Sequence, residues 1–110
     1  MLEFNWSPTE KKIARRAFDK AYHNEIEEIK KILAEKVQNI ADDKDVWELH
    51  NYLTKRRLSV DDKYDYRYSK LIIVFAVLLE QKFLTLEDLE GLSEDKLEVI
   101  KKFSEGLQSF

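Results

Sequence analysis

Apolar side chains recur every three or four residues along most of the chain, which is the period of an α-helix. The first such run extends from Phe18 to Ile40 without a glycine or a proline. It follows a strong start signal, in which Ser7 can cap a helix that has Pro8 in its first turn and Glu10 three residues after the serine. The pattern predicts one helix of about 30 residues, on the order of 45 Å long. A compact domain of this size is only about 30 Å across, so part of the helix should extend beyond the chain's own core.

An apolar stripe that extends beyond the core needs a partner, and a second copy of the same chain is the simplest one. We therefore expect a homodimer held by the first helix. The predicted dimer interface consists of Tyr22, Ile26, Ile29, Leu33, Val37 and Ile40.

A second helix is predicted from Asp45, which can form a capping box with Glu48, to about Leu58. Its apolar seam consists of Val46, Leu49, Leu53 and Val60. The basic pair Arg56 and Arg57 is too short to form a patch, and we expect it to lie solvated near the helix end, where cations also suit the helix dipole.

The C-terminal half begins with an apolar run at residues 71–79 that could be a buried strand. No glycine or proline bounds this run, and it continues the helical register of the charged segment 61–70, so a largely buried helix is favoured. Two further helices are predicted: a short one from Thr85 to Gly91, and a last one from Ser93 with an inward stripe of Leu97, Ile100 and Phe103.

These elements predict an all-α fold in a single domain over residues 1–110. Two glycines, one proline and 37% charged residues agree with this fold, because they provide few turns and many helix formers.

Composition argues against several classes of protein. The chain has no cysteine, which excludes disulfides and thiolate metal sites. Its formal net charge is −3, with the two signs interleaved, so we expect no nucleic-acid partner. No apolar run approaches the roughly 18 to 20 residues of a membrane span, and the N-terminus lacks the order of a secretory signal. We therefore expect a cytoplasmic protein without a membrane span.

Candidate chemistry is sparse. Asp19, His23 and Glu27 recur every four residues on the first helix, but polar residues at this spacing are common on solvated faces, and the pairs typical of carboxylate-bridged metal sites are missing. The chain also lacks a glycine-rich phosphate loop, a nucleophile elbow and a zinc-protease motif. We expect no metal, no cofactor and no enzymatic activity.

The second helix has a face that its apolar seam does not explain. Trp47 lies about 140° from the seam, beside Asn51, Thr54 and Leu58. The polar residues His50 and Arg57 lie at the flank. The indole could pack on the chain's own helices. A large aromatic side chain among hydrogen-bonding and charged groups is, however, typical of a binding hot spot, so Trp47 and the four polar residues beside it, His50, Asn51, Thr54 and Arg57, are the predicted partner-binding site.

Two segments resemble the fluorescence recovery proteins of cyanobacteria. The matches in DVWELHNYLTKRR are Trp47, Leu49, His50, Tyr52, Leu53 and Arg57. Those in DDKYDYRYSKLIIVFAVLL are Lys63, Tyr64, Asp65, Arg67, Phe75, Ala76, Leu78 and Leu79. Upstream, RAFDKAYHNEI is similar to the family's Phe-x-Lys-Ala-Tyr region, so the resemblance covers roughly residues 7–105.

The resemblance implies an all-helical homodimer that acts without enzymatic chemistry or a cofactor. Its long N-terminal helix and second helix would form a dimerisation stalk at about residues 7–58, with a C-terminal helical head at about residues 60–106. Such a regulator binds the light-activated red form of the orange carotenoid protein and hastens its return to the orange form, which ends non-photochemical quenching at the phycobilisome. Trp47, His50 and Arg57 would form the functional patch. The alternative is a similar dimeric scaffold that binds a different protein partner.

Asn51 departs from the family pattern, which usually has an acid directly after the histidine. The amide keeps an acceptor oxygen but carries no charge, so a charge-assisted contact would become an ordinary hydrogen bond, weaker by about 1 to 2 kcal/mol. We hypothesise that Asn51 weakens or retunes partner binding.

Overall fold

The computed structural model describes residues 4–108, which form four α-helices and one 3-10 helix. The elements are α1 (Pro8–Gln38), α2 (Asp43–Lys63), α3 (Leu71–Glu80), a 3-10 helix (Leu86–Leu89) and α4 (Glu94–Gln108). The predicted all-α fold is confirmed. The first three and the last two residues of the predicted domain lie outside the described part of the chain.

α1 begins as its sequence predicts and spans 31 residues. The backbone N–H of Glu10 donates to Ser7 Oγ at 3.1 Å, and the backbone N–H of Ser7 donates to Glu10 Oε1 at 3.1 Å, which forms the expected capping box. The helix ends at Gln38, where Asn39 caps it by donating a side-chain hydrogen bond to a carbonyl of the last turn. Ile40 lies beyond this cap, so the prediction that it continues the helical stripe is wrong.

α2 differs from its prediction at both ends. Asp42 is the N-cap, and Asp45 is the residue three positions later that accepts the backbone N–H of Asp42 at 3.1 Å. Two aspartates at this spacing allow either assignment, and the structure has the earlier one. The helix continues past Leu58 to Lys63.

α3 confirms the predicted buried helix, but the helical register does not continue back through residues 61–70. α2 ends at Lys63, and the next residues turn across α1. The ring of Phe18 meets those of Tyr64 and Tyr66 edge-on, at centroid distances of 5.4 and 4.8 Å. Aromatic packing against α1 therefore replaces the helical turns that the charge pattern predicted.

The main core lies between α3, α4 and the N-terminal half of α1. Its largest fully buried apolar side chains are Phe75, Leu71, Leu78, Leu89 and Ile100. Gly91 makes the turn before α4 with φ +104°, and a Cβ there would lie 2.5 Å from Ile13 Cδ1, so this turn requires glycine. Phe103 is exposed, so its predicted place in the inward stripe of α4 is wrong.

The chain is elongated because α1 and α2 project beyond this core. The molecule measures 53 × 29 × 21 Å and has a radius of gyration of 16.6 Å, whereas a compact chain of about 100 residues has one of about 13 Å. α2 buries a single residue, Val60. Val46 and Leu53 are exposed, so the predicted inner seam of α2 is only partly correct.

A buried ion pair joins the start of α1 to the start of α4. Lys96 Nζ lies 3.0 Å from Glu10 Oε2 and donates to the carbonyl oxygen of Asn5 at 2.7 Å, while the backbone N–H of Ser93 donates to Glu10 at 2.9 Å. Burial opposes ionisation of Glu10. The backbone hydrogen bonds from Ser7 and Ser93 and the contact with Lys96 outweigh that burial and lower the pKa from 4.5 to about 2.

This geometry predicts an acid-sensitive contribution to stability. Because the folded pKa of Glu10 lies below the unfolded one, its stabilisation should be complete above about pH 4.5 and should disappear as the pH falls towards about 2. Urea unfolding at a series of pH values should therefore show Glu10→Gln less stable than the wild type by on the order of 3 kcal/mol at neutral pH. The difference between their free energies of unfolding should disappear in acid.

The matched control is Glu98→Gln, which removes a carboxylate from the exposed pair with Lys102. Exposed pairs contribute about 0 to 1 kcal/mol, so this variant should track the wild type. A gap at Glu10 that stays constant between neutral pH and about pH 2 would contradict the assignment.

Candidate functional site

Trp47 lies on the outer side of α2 and is 66% exposed. Its ring meets the imidazole of His50 edge-on, at a centroid distance of 6.3 Å. The indole therefore does not pack into the core formed by α1, α3 and α4, and the possibility that it covers the chain's own helices is excluded for a single copy of the chain.

A shallow groove continues this face towards the end of α2. It has a volume of about 350 Å³ and is lined by His50, Leu53, Thr54, Arg57, Leu58 and Asp61. Leu53 and Leu58 are exposed, so the groove has apolar walls with a cation and a carboxylate at its edge. We name the surface made by Trp47 and these six residues the outer face.

Arg57 is the cation of the outer face, and its side chain is 82% exposed. Its Nε lies 3.5 Å from Asp61 Oδ2, one helical turn away. An exposed pair of this kind contributes about 0 to 1 kcal/mol, so the guanidinium can exchange Asp61 for another carboxylate at little cost.

The outer face contains four of the five residues that the sequence singles out as a partner site: Trp47, His50, Thr54 and Arg57. Thr54 Oγ1 donates to the backbone oxygen of His50 at 3.1 Å. Asn51 is exposed on the same helix but does not line the groove.

Helical spacing placed Leu58 beside Trp47, but sequence reasoning missed Leu53 and Asp61 as members of the outer face. Asp61 follows Trp47 by fourteen residues, which places it on the same side of a helix, so this spacing could have identified it. Leu53 fits the apolar seam equally well, and helical periodicity alone does not separate the two faces there.

The opposite side of α2 docks on α1 through polar groups. Arg56 Nη2 lies 3.1 Å from Glu25 Oε2 and 2.7 Å from Glu28 Oε2, and Lys63 Nζ lies 2.6 Å from Glu25 Oε1. The hydroxyl of Tyr64 donates to Glu25 Oε1 at 2.9 Å. Burial, together with this hydrogen bond, raises the pKa of Tyr64 well above its usual range. The expectation of a solvated Arg56 is wrong, because its partners come from a distant part of the sequence.

Asp19, His23 and Glu27, whose spacing on α1 could suit a metal, do not form a ligand set. Asp19 Oδ1 lies 3.3 Å from Arg15, and His23 Nε2 lies 3.9 Å from Glu27 Oε1. Within residues 4–108, no three histidine or carboxylate side chains converge on a metal position. Across the same residues, the helices are too short or too polar to cross a bilayer.

An elongated helical fold that exposes an aromatic, apolar and cationic face defines the class of small helical proteins that act by binding other proteins. The family described as "photoprotection regulator fluorescence recovery protein" matches residues 6–104. The chain belongs to the fluorescence recovery protein family.

Individual relatives agree with this assignment. The fluorescence recovery protein of Synechocystis is 36% identical over 99 residues, which are 90% of this chain and 91% of the relative. The solved structure of the Fremyella diplosiphon protein is 42% identical and superposes with a TM-score of 0.86, covering 92% of this chain and 99% of that one. The Synechocystis structure gives 35% identity and a TM-score of 0.86 over the same shares.

The two tryptophans should report different environments, because Trp6 is 9% exposed and Trp47 is 66% exposed. We expect the Trp6→Phe variant, which retains Trp47, to emit at longer wavelength and to be quenched more strongly by acrylamide than Trp47→Phe, which retains Trp6. Equal quenching of the two variants would mean that Trp47 is covered in solution.

Proposed function

We propose that this protein binds the light-activated form of the orange carotenoid protein through the outer face of α2 and accelerates its return to the orange form. The observation that carries the proposal is the exposed Trp47 beside His50, continued by a groove that ends in Arg57. Membership of a family described as a photoprotection regulator supports the assignment of this face to that task.

The outer face has the composition of an energetic hot spot. Tryptophan and arginine are enriched among residues whose truncation costs 2 kcal/mol or more, and such residues are usually ringed by contacts that exclude water. Leu53 and Leu58 supply apolar surface next to the two anchors. A partner that covers Trp47 would bury this surface and desolvate Arg57.

Acceleration requires differential binding. A binder that held the light-activated form and the transition state equally well would leave the recovery rate unchanged, whereas tighter binding to the transition state accelerates it. No bond is made or broken, so we propose a regulator without enzymatic chemistry and without a cofactor.

We also propose that the protein is a homodimer whose interface includes the projecting part of α1. Val37 is 57% exposed, Tyr22 and Ile40 are exposed, and Ile26 and Leu33 are half-buried. Ile29 is already buried within one chain. Exposed apolar side chains along a projecting helix are typical of a surface that a second copy covers.

A charge placed in this stripe should produce monomers. We expect Val37→Glu to have the 13.2 kDa mass of one chain by light scattering, and the wild type to have twice that mass, because a pair of unmatched carboxylates would be buried at the seam. Val37 is a sharper test than Ile29, whose substitution would also disturb packing within one chain.

Lys31→Glu is the control, because it places a carboxylate, with a larger change of charge than Val37→Glu, on an exposed polar position of α1 and should leave the dimer intact. A wild type that is monomeric at high micromolar concentration would overturn the dimer proposal.

The binding proposal predicts a loss of activity at Trp47. The measurement is the dark red-to-orange relaxation of a photoactivated orange carotenoid protein, followed by visible absorbance with and without this protein. We expect the wild type to accelerate the relaxation. Trp47→Ala should need at least about thirtyfold more protein for the same acceleration, because truncation of a hot-spot residue costs about 2 kcal/mol or more.

Leu86→Ala is the control, since Leu86 is an exposed apolar residue on the 3-10 helix, away from the outer face. It should retain wild-type activity. If the folded wild type fails to accelerate the relaxation, the proposed function is wrong and the outer face serves another protein partner.

A further inference from the structure

Glu25 is an acidic side chain that is 2% exposed, at the point where α2 meets the rest of the molecule. Its two carboxylate oxygens contact different partners. Oε1 lies 2.6 Å from Lys63 Nζ and accepts the Tyr64 hydroxyl at 2.9 Å, while Oε2 accepts from Arg56 at 3.1 Å. With the half-exposed Glu28, which also binds Arg56, two carboxylates face two cations, so the buried group is neutral as a whole.

This group joins three separate parts of the chain. Glu25 belongs to α1, and Arg56 and Lys63 belong to the last turns of α2. Lys63 also donates to Gln81 Oε1 at 2.7 Å, just after α3. Next to Glu25, Asn24 donates its side-chain amide to the backbone oxygen of Phe83 at 3.0 Å. One turn of α1 is therefore bonded both to the end of α2 and to the segment after α3.

Apolar packing does little to fix the rotation of α2. Val60 is the one residue of this helix that is buried, and neither Val60 nor Ile29 belongs to the main core cluster. Apolar contacts are not directional, whereas a carboxylate with three hydrogen-bonding partners accepts only a narrow range of positions. The polar group is thus the buried part of the α1–α2 contact that can define an orientation. A second directional contact, in which Lys36 Nζ lies 4.7 Å from the ring centroid of Tyr52, involves an exposed lysine.

The rotation of α2 determines where the outer face points. Arg56 and Arg57 are neighbours, and successive side chains on a helix differ by about 100°. The contact of Arg56 with Glu25 therefore directs Arg57 away from α1. The rest of the outer face, including Trp47, points away from α1 as well. A rotation of α2 about its own axis would turn the outer face towards or away from α1.

We propose that Glu25 is a positioning residue, which locks the rotation and tilt of α2 relative to the helical head so that the outer face, with Trp47 and Arg57, points away from α1 and is open to the partner. The part that concerns the partner rests on the proposed function. The part that concerns the orientation of α2 does not, and it can be measured in the protein alone.

The structural test uses the absence of cysteine from the chain. Spin labels on Lys44→Cys, near the far end of α2, and Lys101→Cys, on α4, report the tilt of α2 through the distance between them. Labelled chains diluted into unlabelled chains report distances within one chain. We expect a single narrow distribution with Glu25 and a broadened or shifted one with Glu25→Gln, with unchanged far-ultraviolet circular dichroism.

Glu28→Gln is the matched control, since it removes a carboxylate bound to the same Arg56 from a half-exposed position. It should leave the distance distribution close to that of the wild type. Should Glu25→Gln fail to fold, Arg56→Lys keeps the charge but replaces the guanidinium, whose Nη2 binds both Glu25 and Glu28, by an ammonium on a shorter side chain, and it should broaden the distribution. A folded Glu25→Gln or Arg56→Lys variant with the wild-type distribution would overturn the proposal.

The functional test separates positioning from general destabilisation. In the relaxation assay, Arg57→Ala should weaken the wild type about tenfold but should have a clearly smaller effect in the Glu25→Gln background, because the outer face is no longer held pointing away from α1 there. Equal effects in the two backgrounds would overturn the coupling. If the wild type itself has no activity, the proposed function fails, and the spin-label distances still decide the role of Glu25.

Discussion

The buried carboxylate of Glu25 is the contact on which the arrangement of this molecule depends. α2 buries a single side chain, Val60, and its buried polar contact with α1 is made by Arg56 and Lys63, together with Tyr64, around Glu25. Removing one partner from such a group leaves an unpaired buried charge, which typically costs about 3 to 5 kcal/mol. The cations, the phenol and the carboxylate therefore depend on one another at the point where α2 meets α1.

Stability and orientation come from different interactions. The apolar core between α3, α4 and the first half of α1 contains the largest buried side chains, among them Phe75 and Ile100. Such burial contributes about 1.5 to 3 kcal/mol for each large side chain. The charged groups at Glu10 and Glu25 instead join helices that lie far apart in the sequence. Apolar burial holds the head together, and the charged contacts direct the elements attached to it.

This division leaves the outer face free for a partner. The inner side of α2 contacts α1 through polar groups. The apolar residues Trp47, Leu53 and Leu58 are therefore not buried in the chain's own core and stay exposed. Exposed apolar residues that cluster on one face are typical of interaction sites. Asn51 is exposed on the same helix but does not line the groove, so it lies at the edge of the proposed site.

The sequence by itself determined the all-α class, the start and length of α1, and the side of α2 that carries Trp47, because helix caps and helical periods are local properties. It did not determine where α2 and the segment 64–70 go. Asp42 and Asp45 both fit a cap, and the aromatic rings of Tyr64 and Tyr66 pack on Phe18 from a distant part of the chain. Only the tertiary structure assigned Arg56 to Glu25 and left Val46 and Leu53 exposed, because periodicity shows that a face is apolar but not which surface, if any, will cover it.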